Sequence, residues 1–116
     1  MSDDIRSLLE ISEKTNNRTI SLTRCLILAL LAYFVDGIQY RELKAALRIS
    51  DGKLISNLNL LRRMQYAEKV EAEIDRRKID VYVLTERGRQ ELNKIKKWMK
   101  AIQKVAQEDE MTCQAT

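Results

Sequence analysis

The sequence predicts a mainly helical domain with one β-hairpin, an α+β class of fold, from three observations. Apolar residues recur at helical spacing through the first half of the chain. The period then changes to two in the segment VEAEI, where Val70, Ala72 and Ile74 alternate with glutamates. Helical spacing returns after residue 85. At 116 residues the chain has the size of a single domain.

The first two predicted helices differ strongly in polarity. Ile5, Leu8 and Leu9 share one face of a short first helix, which the polar segment at residues 15–19 ends. The second helix, from about residue 20 to residue 35, contains the run CLILALLAYFV. That run is eleven residues long, whereas a membrane span needs about 20 residues. We therefore expect a helix buried in the core of the domain.

Two shorter helices are predicted after the break at Gly37. The segment QYRELKAALRI has one apolar helical face, and Ser50 or Asp51 can cap a further helix at about residues 51–64. About three residues, 48–50, join the two helices. This spacing is typical of a helix-turn-helix motif.

A hairpin and a long helix complete the predicted order. The strand pattern continues in IDVYVL after the turn DRRK, so we expect a β-hairpin whose tip, residues 75–78, is basic. Thr85 can then cap a last helix with apolar residues at 3-4-3-4 spacing. We expect this helix to end near residue 107 and residues 108–116 to form a flexible tail.

This order of elements, with a hairpin after a helix-turn-helix, is that of a winged helix-turn-helix domain. The segments GIQYRELKAALRISDGKLISNLNLLRRMQYAEKV and VYVLTERGRQEL also resemble the MarR/ArsR-like winged-helix regulators, over about residues 20–105. The resemblance implies a dimeric DNA-binding protein, usually one that represses transcription by occluding a promoter. The chain departs from the family at Gln65, where a glycine usually follows the recognition helix.

On this interpretation the chain divides into four segments. They are an N-terminal helix that contributes to a dimer (residues 1–17), a DNA-binding core (18–84), a dimerisation helix (85–107) and the tail (108–116).

The outward side of the predicted recognition helix carries short polar side chains instead of the usual glutamate and lysine mixture. Leu54, Leu58 and Leu61 form its core seam. Asn can bond the paired donor and acceptor of adenine, and an exposed Leu can meet a thymine methyl. A solvated helix surface is the alternative interpretation, which the helix-turn-helix context disfavours. The residues predicted to read bases are Gly52, Lys53, Ser56, Asn57, Asn59 and Leu60.

Basic residues near this helix are candidates for contacts with phosphates. The hairpin tip would lie along the DNA backbone or enter the minor groove, although Asp75 and Asp80 dilute its charge. Charged hairpin tips are also common without any such role. The predicted phosphate contacts are Arg41, Lys44, Arg48, Arg63, Arg76, Arg77 and Lys78.

The apolar stripe of the last helix extends beyond what a small winged-helix core can cover, so it predicts a homodimer. A two-fold axis would present two recognition helices to successive major grooves about 34 Å apart, on an inverted-repeat site. Packing of the stripe within one chain is the alternative. The predicted dimer contacts are Ile5, Leu8, Leu9, Leu92, Ile95, Trp98, Met99, Ile102 and Val105.

Composition limits the other functions. The net charge of +4 favours a polyanion, with double-stranded DNA first and an anionic membrane surface second. Two cysteines and no histidine cannot complete a zinc site or a Cys-His nucleophile pair. No acid–base pair or phosphate loop is present. We therefore expect no enzyme, no cofactor and no metal.

The N-terminus lacks the basic and apolar regions of a signal peptide, so we expect a cytoplasmic, nucleoid-associated protein. Three functions stay open: a sequence-specific regulator, a weakly specific architectural DNA-binding protein, and a winged helix that binds another protein. The sequence identifies neither an effector nor an operator.

Overall fold

The computed structural model describes residues 3–15 and 21–115, and side chains as far as residue 107. Five helices and one antiparallel hairpin follow in the predicted order, which confirms the fold class. The elements are α1 (Asp3–Lys14), α2 (Leu22–Tyr33), α3 (Tyr40–Leu47), α4 (Asp51–Arg63), β1 (Ala67–Ile74), β2 (Arg77–Leu84) and α5 (Glu86–Ala115).

The core lies where α2, α3, α4 and the start of α5 meet the hairpin. The predicted α4 seam is confirmed, because Leu54, Leu58 and Leu61 are all fully buried. Full burial of a leucine contributes about 1.5–3 kcal/mol, so this seam is enough to hold α4 against the other helices. The seam packs in one cluster with Ile27, Leu28 and Leu31 of α2, Leu43 of α3, and Leu92 and Ile95 of α5.

Helix α2 is buried on one side only, which corrects the prediction of a helix buried in the core. Ile27, Leu28 and Leu31 face the core, but Leu22 is 78% exposed and Tyr33 is 79% exposed. The helix is apolar nearly all round, and the folded chain covers only one of its faces. Its other face forms one wall of a groove against α5, with a volume of about 610 Å³.

Helix α1 packs along α5 of the same chain, which gives part of the predicted dimer stripe a partner within one chain. Trp98 is half-buried, and its Nε1 donates to Ser12 Oγ over 3.0 Å. Leu92 and Ile95 are buried in the core of the single chain, and both also line the groove between α2 and α5. Helical spacing is the same for packing within a chain and between chains, so their contact with a second copy stays a prediction.

The last helix is longer than predicted. It runs to Ala115, through the segment that we expected to be a flexible tail. The sequence after residue 105 contains no glycine or proline to end a helix, and Ala, Gln, Glu and Met all favour helix. Within residues 3–15 and 21–115, no helix combines the length and apolarity needed to cross a membrane.

Gly37 fixes how the helices meet the hairpin. Its φ is +104°, and a Cβ at this position would lie 2.5 Å from Val81 Cγ2. A side chain is therefore excluded both by backbone conformation and by space. The next residue, Ile38, exchanges backbone hydrogen bonds of 3.1 and 2.8 Å with Tyr82. The hairpin is thereby attached to the segment that leads into the helix-turn-helix.

Candidate nucleic-acid interface

The turn between α3 and α4 has a defined geometry that sets the angle between the two helices. Arg48 ends α3 in the left-handed region at φ +54°. Ser50 then caps α4, because its Oγ accepts a hydrogen bond from the Lys53 backbone N–H at 3.2 Å. The predicted join of residues 48–50 is therefore the one found, and Ser50 is the cap.

Side chains of α3 also brace the first turn of α4. The Tyr40 hydroxyl donates to Asp51 Oδ1 over 2.7 Å, and Lys44 Nζ lies 3.0 Å from Asp51 Oδ2. The hydrogen bond from Tyr40, and then the one from Lys44, lower the pKa of the Asp51 carboxyl. The same bond to Asp51 raises the pKa of Tyr40 to about 12. Lys44, a predicted phosphate contact, is thus already paired with a carboxylate.

The outward side of α4 is open to solvent, as the sequence predicted. Lys53, Ser56, Asn59 and Arg63 are all exposed, whereas Leu60 is half-buried. Gly52 is exposed too, and nothing lies within 4 Å of the position that its Cβ would take. A backbone or a base edge could therefore approach this turn of the helix closely.

Asn57 is not free, although it was predicted to read bases. Its Oδ1 accepts a hydrogen bond of 3.1 Å from Arg24 Nη1, and its Nδ2 donates to the Lys53 carbonyl oxygen over 2.7 Å. Arg24 lies on α2, 33 residues earlier in the chain. No sequence pattern indicated this contact.

The exposed side of α4 continues into the base of the hairpin as one concave surface, with a volume of about 660 Å³. Sequence reasoning missed three charged residues that line it: Arg62 of α4, and Glu68 and Lys69 of β1. The doubled arginine in LRRM was the one available signal for Arg62. The surface is lined by Ser56, Asn59, Arg62, Arg63, Ala67, Glu68 and Lys69.

The hairpin turns through two residues, Asp75 and Arg76, both with positive φ, as in a type I′ turn. The predicted tip therefore spans the turn and the first two residues of β2. Lys78 lies 3.7 Å from Glu71 and Lys69 lies 3.6 Å from Asp80, so two of the hairpin's cations face carboxylates. Arg76 and Arg77 are exposed cations at the tip, next to the exposed carboxylate of Asp75.

The end of α4 fixes where the hairpin starts. Gln65 has φ +63°, so the departure from the family's glycine keeps the left-handed turn. The N–H groups of Gln65 and Tyr66 donate to the carbonyls of Arg62 and Leu61, at 2.9 Å each. These are the two bonds of a Schellman motif, which ends the helix without a glycine.

The predicted capping residue Thr85 stabilises the same corner. Thr85 Oγ1 donates to the Gln65 carbonyl oxygen over 2.6 Å and accepts from the Gly88 N–H at 2.9 Å, so it caps α5 as predicted. Gly88 is needed at this corner, because a Cβ there would collide with the Tyr66 carbonyl oxygen. At this position a side chain is excluded by lack of space alone, and not by backbone conformation.

The structure therefore brings most of the predicted base-reading residues together on one face. Among the predicted phosphate contacts, Arg63 lies on that face, Arg48 is exposed at the turn, Arg41 is exposed in the first turn of α3, and Lys44 and Lys78 have carboxylate partners. Within the described residues, no cluster of three or more Cys, Asp or Glu side chains could hold a metal ion.

Comparisons with known proteins identify the family and the fold. Residues 23–103 match the family described as winged helix DNA-binding domain. The structure is similar to that of a mutant of S. aureus MepR bound to an oligodeoxyribonucleotide, with a TM-score of 0.65 and 17% sequence identity over 91% of this chain and 83% of that chain. At that identity the likeness concerns the fold. None of the curated proteins matches the sequence significantly.

The brace at the start of α4 gives a testable pKa. Tyr40→Phe removes the main cause of the shift, so we expect the pKa of Asp51 to rise towards its ordinary value, followed by NMR titration of the carboxyl carbon. Tyr33→Phe, which removes a hydroxyl from the exposed face of α2, is the control.

The sign of the pH dependence follows from the lowered pKa. The brace stabilises the fold when Asp51 is ionised, and this contribution is lost as pH falls through the lowered pKa of Asp51. The stability difference between wild type and Tyr40→Phe should therefore shrink in acid. An unchanged Asp51 pKa in the variant would show that Tyr40 does not stabilise the carboxylate.

Proposed function

The chain belongs to the winged helix DNA-binding domain family, and we propose that it is a dimeric transcription regulator that binds specific sites in double-stranded DNA. The observation that carries this proposal is the concave surface formed by the exposed side of α4 and the base of the hairpin. One wall of this surface is the exposed side of helix α4, and the major groove of B-DNA is wide enough to admit one α-helix.

The side chains on α4 have two different roles in the proposed recognition, which are contact with base edges and contact with phosphates. Ser56 and Asn59 are short, so they let the helix approach base edges closely. Lys53 and Arg63 are long and cationic, and they reach phosphates at either end of the exposed face. Arg62 adds a further cation on the hairpin side of the surface.

The hairpin acts through its tip. Residues 68–80 contain four basic side chains and five acidic ones, so the hairpin as a whole is not basic. Arg76 and Arg77 stand clear of the cross-strand ion pairs at the end of the hairpin. A narrow minor groove or the adjacent phosphates would attract these two side chains.

Two measures of size support a dimer. The radius of gyration is 17.5 Å, compared with about 13 Å for a compact chain of this length. The chain exposes 8367 Å², whereas a compact monomer of 13.5 kDa exposes about 6,500 Å². The excess is larger than the area of about 800 Å² that one partner buries in an interface of standard size.

The exposed side of α2 is the surface on which we place the proposed dimer interface. Leu22, Leu26 and Tyr33 line the groove against α5, and Met99 lines its other wall and is 57% exposed. Ile102, one turn further along α5, continues the exposed stripe. A second copy of this chain would cover these apolar side chains, and the two α4 helices would meet an inverted repeat. A dimer seated on a promoter would repress transcription by occlusion.

One observation favours the architectural alternative. Between residues 87 and 107 of α5, all seven basic side chains are exposed, and the one acidic residue, Glu91, is buried. A single-sign surface of this kind attracts polyanions without reading their sequence. The exposed basic residues are Arg87, Arg89, Lys94, Lys96, Lys97, Lys100 and Lys104.

Selection from a randomised duplex pool across a salt series tests the proposed function. We expect enrichment of an inverted repeat with half-sites about one helical turn apart, because two α4 helices would enter successive major grooves. Binding without enrichment would favour the architectural function. If no duplex bound even at low salt, the proposal would fail and the basic surface would need a protein partner.

Charge substitutions on the apolar face test the dimer. Leu26→Glu and Met99→Glu place a carboxylate in the proposed interface, so we expect sedimentation equilibrium to give monomers, with circular dichroism unchanged. Ile74→Glu on the hairpin is the matched control, since Ile74 is similarly exposed but lies outside the groove, and Leu9→Glu tests the predicted contact through α1. Dimers that survive both substitutions would rule out this interface, and a monomer from Leu9→Glu would assign the contact to α1.

A further inference from the structure

Arg24 has no role in the function proposed above, yet it contacts Asn57, one of the residues predicted to read bases. It lies on α2 and is half-buried, with its guanidinium against the side of α4. Nη1 donates to Asn57 Oδ1 over 3.1 Å. The Nε–H of Arg24 is buried and has no hydrogen-bond partner among the residues that the structure describes.

An unpartnered buried donor is costly, so its presence needs a reason. An apolar side chain of similar length would fill the same space without that cost. What an apolar side chain could not supply is the bond to Asn57. The folded chain therefore accepts the cost of one unpartnered buried N–H. The same side chain places a charged hydrogen-bond donor beside one carboxamide.

The contacts of Asn57 leave a defined part of its carboxamide unused. The group has two N–H donors and an oxygen with two lone pairs. The Lys53 carbonyl oxygen takes one donor, and Arg24 takes one lone pair. One donor and one acceptor remain. Adenine presents the complementary pair in the major groove, with N6 as donor and N7 as acceptor.

Arg24 and the Lys53 carbonyl oxygen together favour one orientation of the carboxamide. If the group rotated by 180°, its NH₂ would face the guanidinium, and two donors would oppose each other. The amide would also lose its bond to the Lys53 carbonyl oxygen, because the side-chain oxygen would then face it.

We propose that Arg24 is a positioning residue for base recognition, which holds the Asn57 carboxamide in the one orientation that accepts an adenine in the major groove. This inference rests on the proposed function, because it assumes that α4 enters that groove. It gives α2, which lies outside the helix-turn-helix, an indirect part in sequence preference.

Arg24→Met tests the inference by removing the donor while keeping a side chain of similar length. Wild type and variant are each passed through selection from a randomised duplex pool. We expect wild type to enrich adenine at one position of each half-site, and the variant to lose that preference by about 5-fold or more. Arg41→Met is the matched control, since Arg41 is exposed on α3 and should affect all sequences equally.

Asn57→Asp gives an independent readout that does not require Arg24 to be replaced. The carboxylate pairs with Arg24 and presents acceptors only, so the preferred base at that position should change from adenine to cytosine, whose N4 is a donor. Adenine preference retained in folded Arg24→Met, or unchanged in Asn57→Asp, would overturn the inference alone. If wild type enriched no sequence at all, the proposed function and the inference would both fail.

Discussion

The candidate interface depends on the way α4 is held at three places. Burial of Leu54, Leu58 and Leu61 fixes which side of the helix faces outwards. The Ser50 cap and the carboxylate of Asp51 fix its first turn against α3. The Schellman motif at Gln65 fixes its last turn and the direction in which β1 leaves. Because all three restraints act on one helix, its polar side chains stay aligned on a single face.

The same packing leaves an apolar surface uncovered. Helix α2 uses one side to support α4 and presents the other to the groove against α5. A small winged-helix core cannot wrap both sides of a helix that is apolar nearly all round. The proposed recognition and the proposed dimerisation would be linked through α2, since the helix whose Arg24 contacts Asn57 also carries the face proposed for the second copy. A change on α2 can alter both properties.

Most of the fold could be predicted because its elements depend on local sequence patterns. The change of period at Val70, the cap at Thr85 and the short join before α4 each depend on a few neighbouring residues. The features that the sequence patterns did not predict have a common physical cause, which is contact between residues far apart in sequence. Ile95 has the spacing of a dimer stripe, and its burial against α2 and α4 becomes evident only once the chain is folded.

The polar contacts follow the same rule. The pairing of Lys44 with Asp51 and of Arg24 with Asn57 depends on the angle between helices. Helical spacing finds the face that a side chain occupies, but it does not find the neighbour that the side chain meets. The sequence therefore showed no sign of the role of Arg24, and it predicted Lys44 as a phosphate contact without indicating its pairing with Asp51.

We propose that the exposed side of α4, and not the basic side of α5, contacts duplex DNA. NMR titration of the labelled protein with a selected double-stranded oligonucleotide tests this proposal, because each backbone amide reports separately. We expect the largest shifts at Lys53, Ser56 and Asn59 and at the hairpin tip, with little change at Lys97, Lys100 and Lys104. Shifts confined to that part of α5, with α4 unchanged, would contradict it.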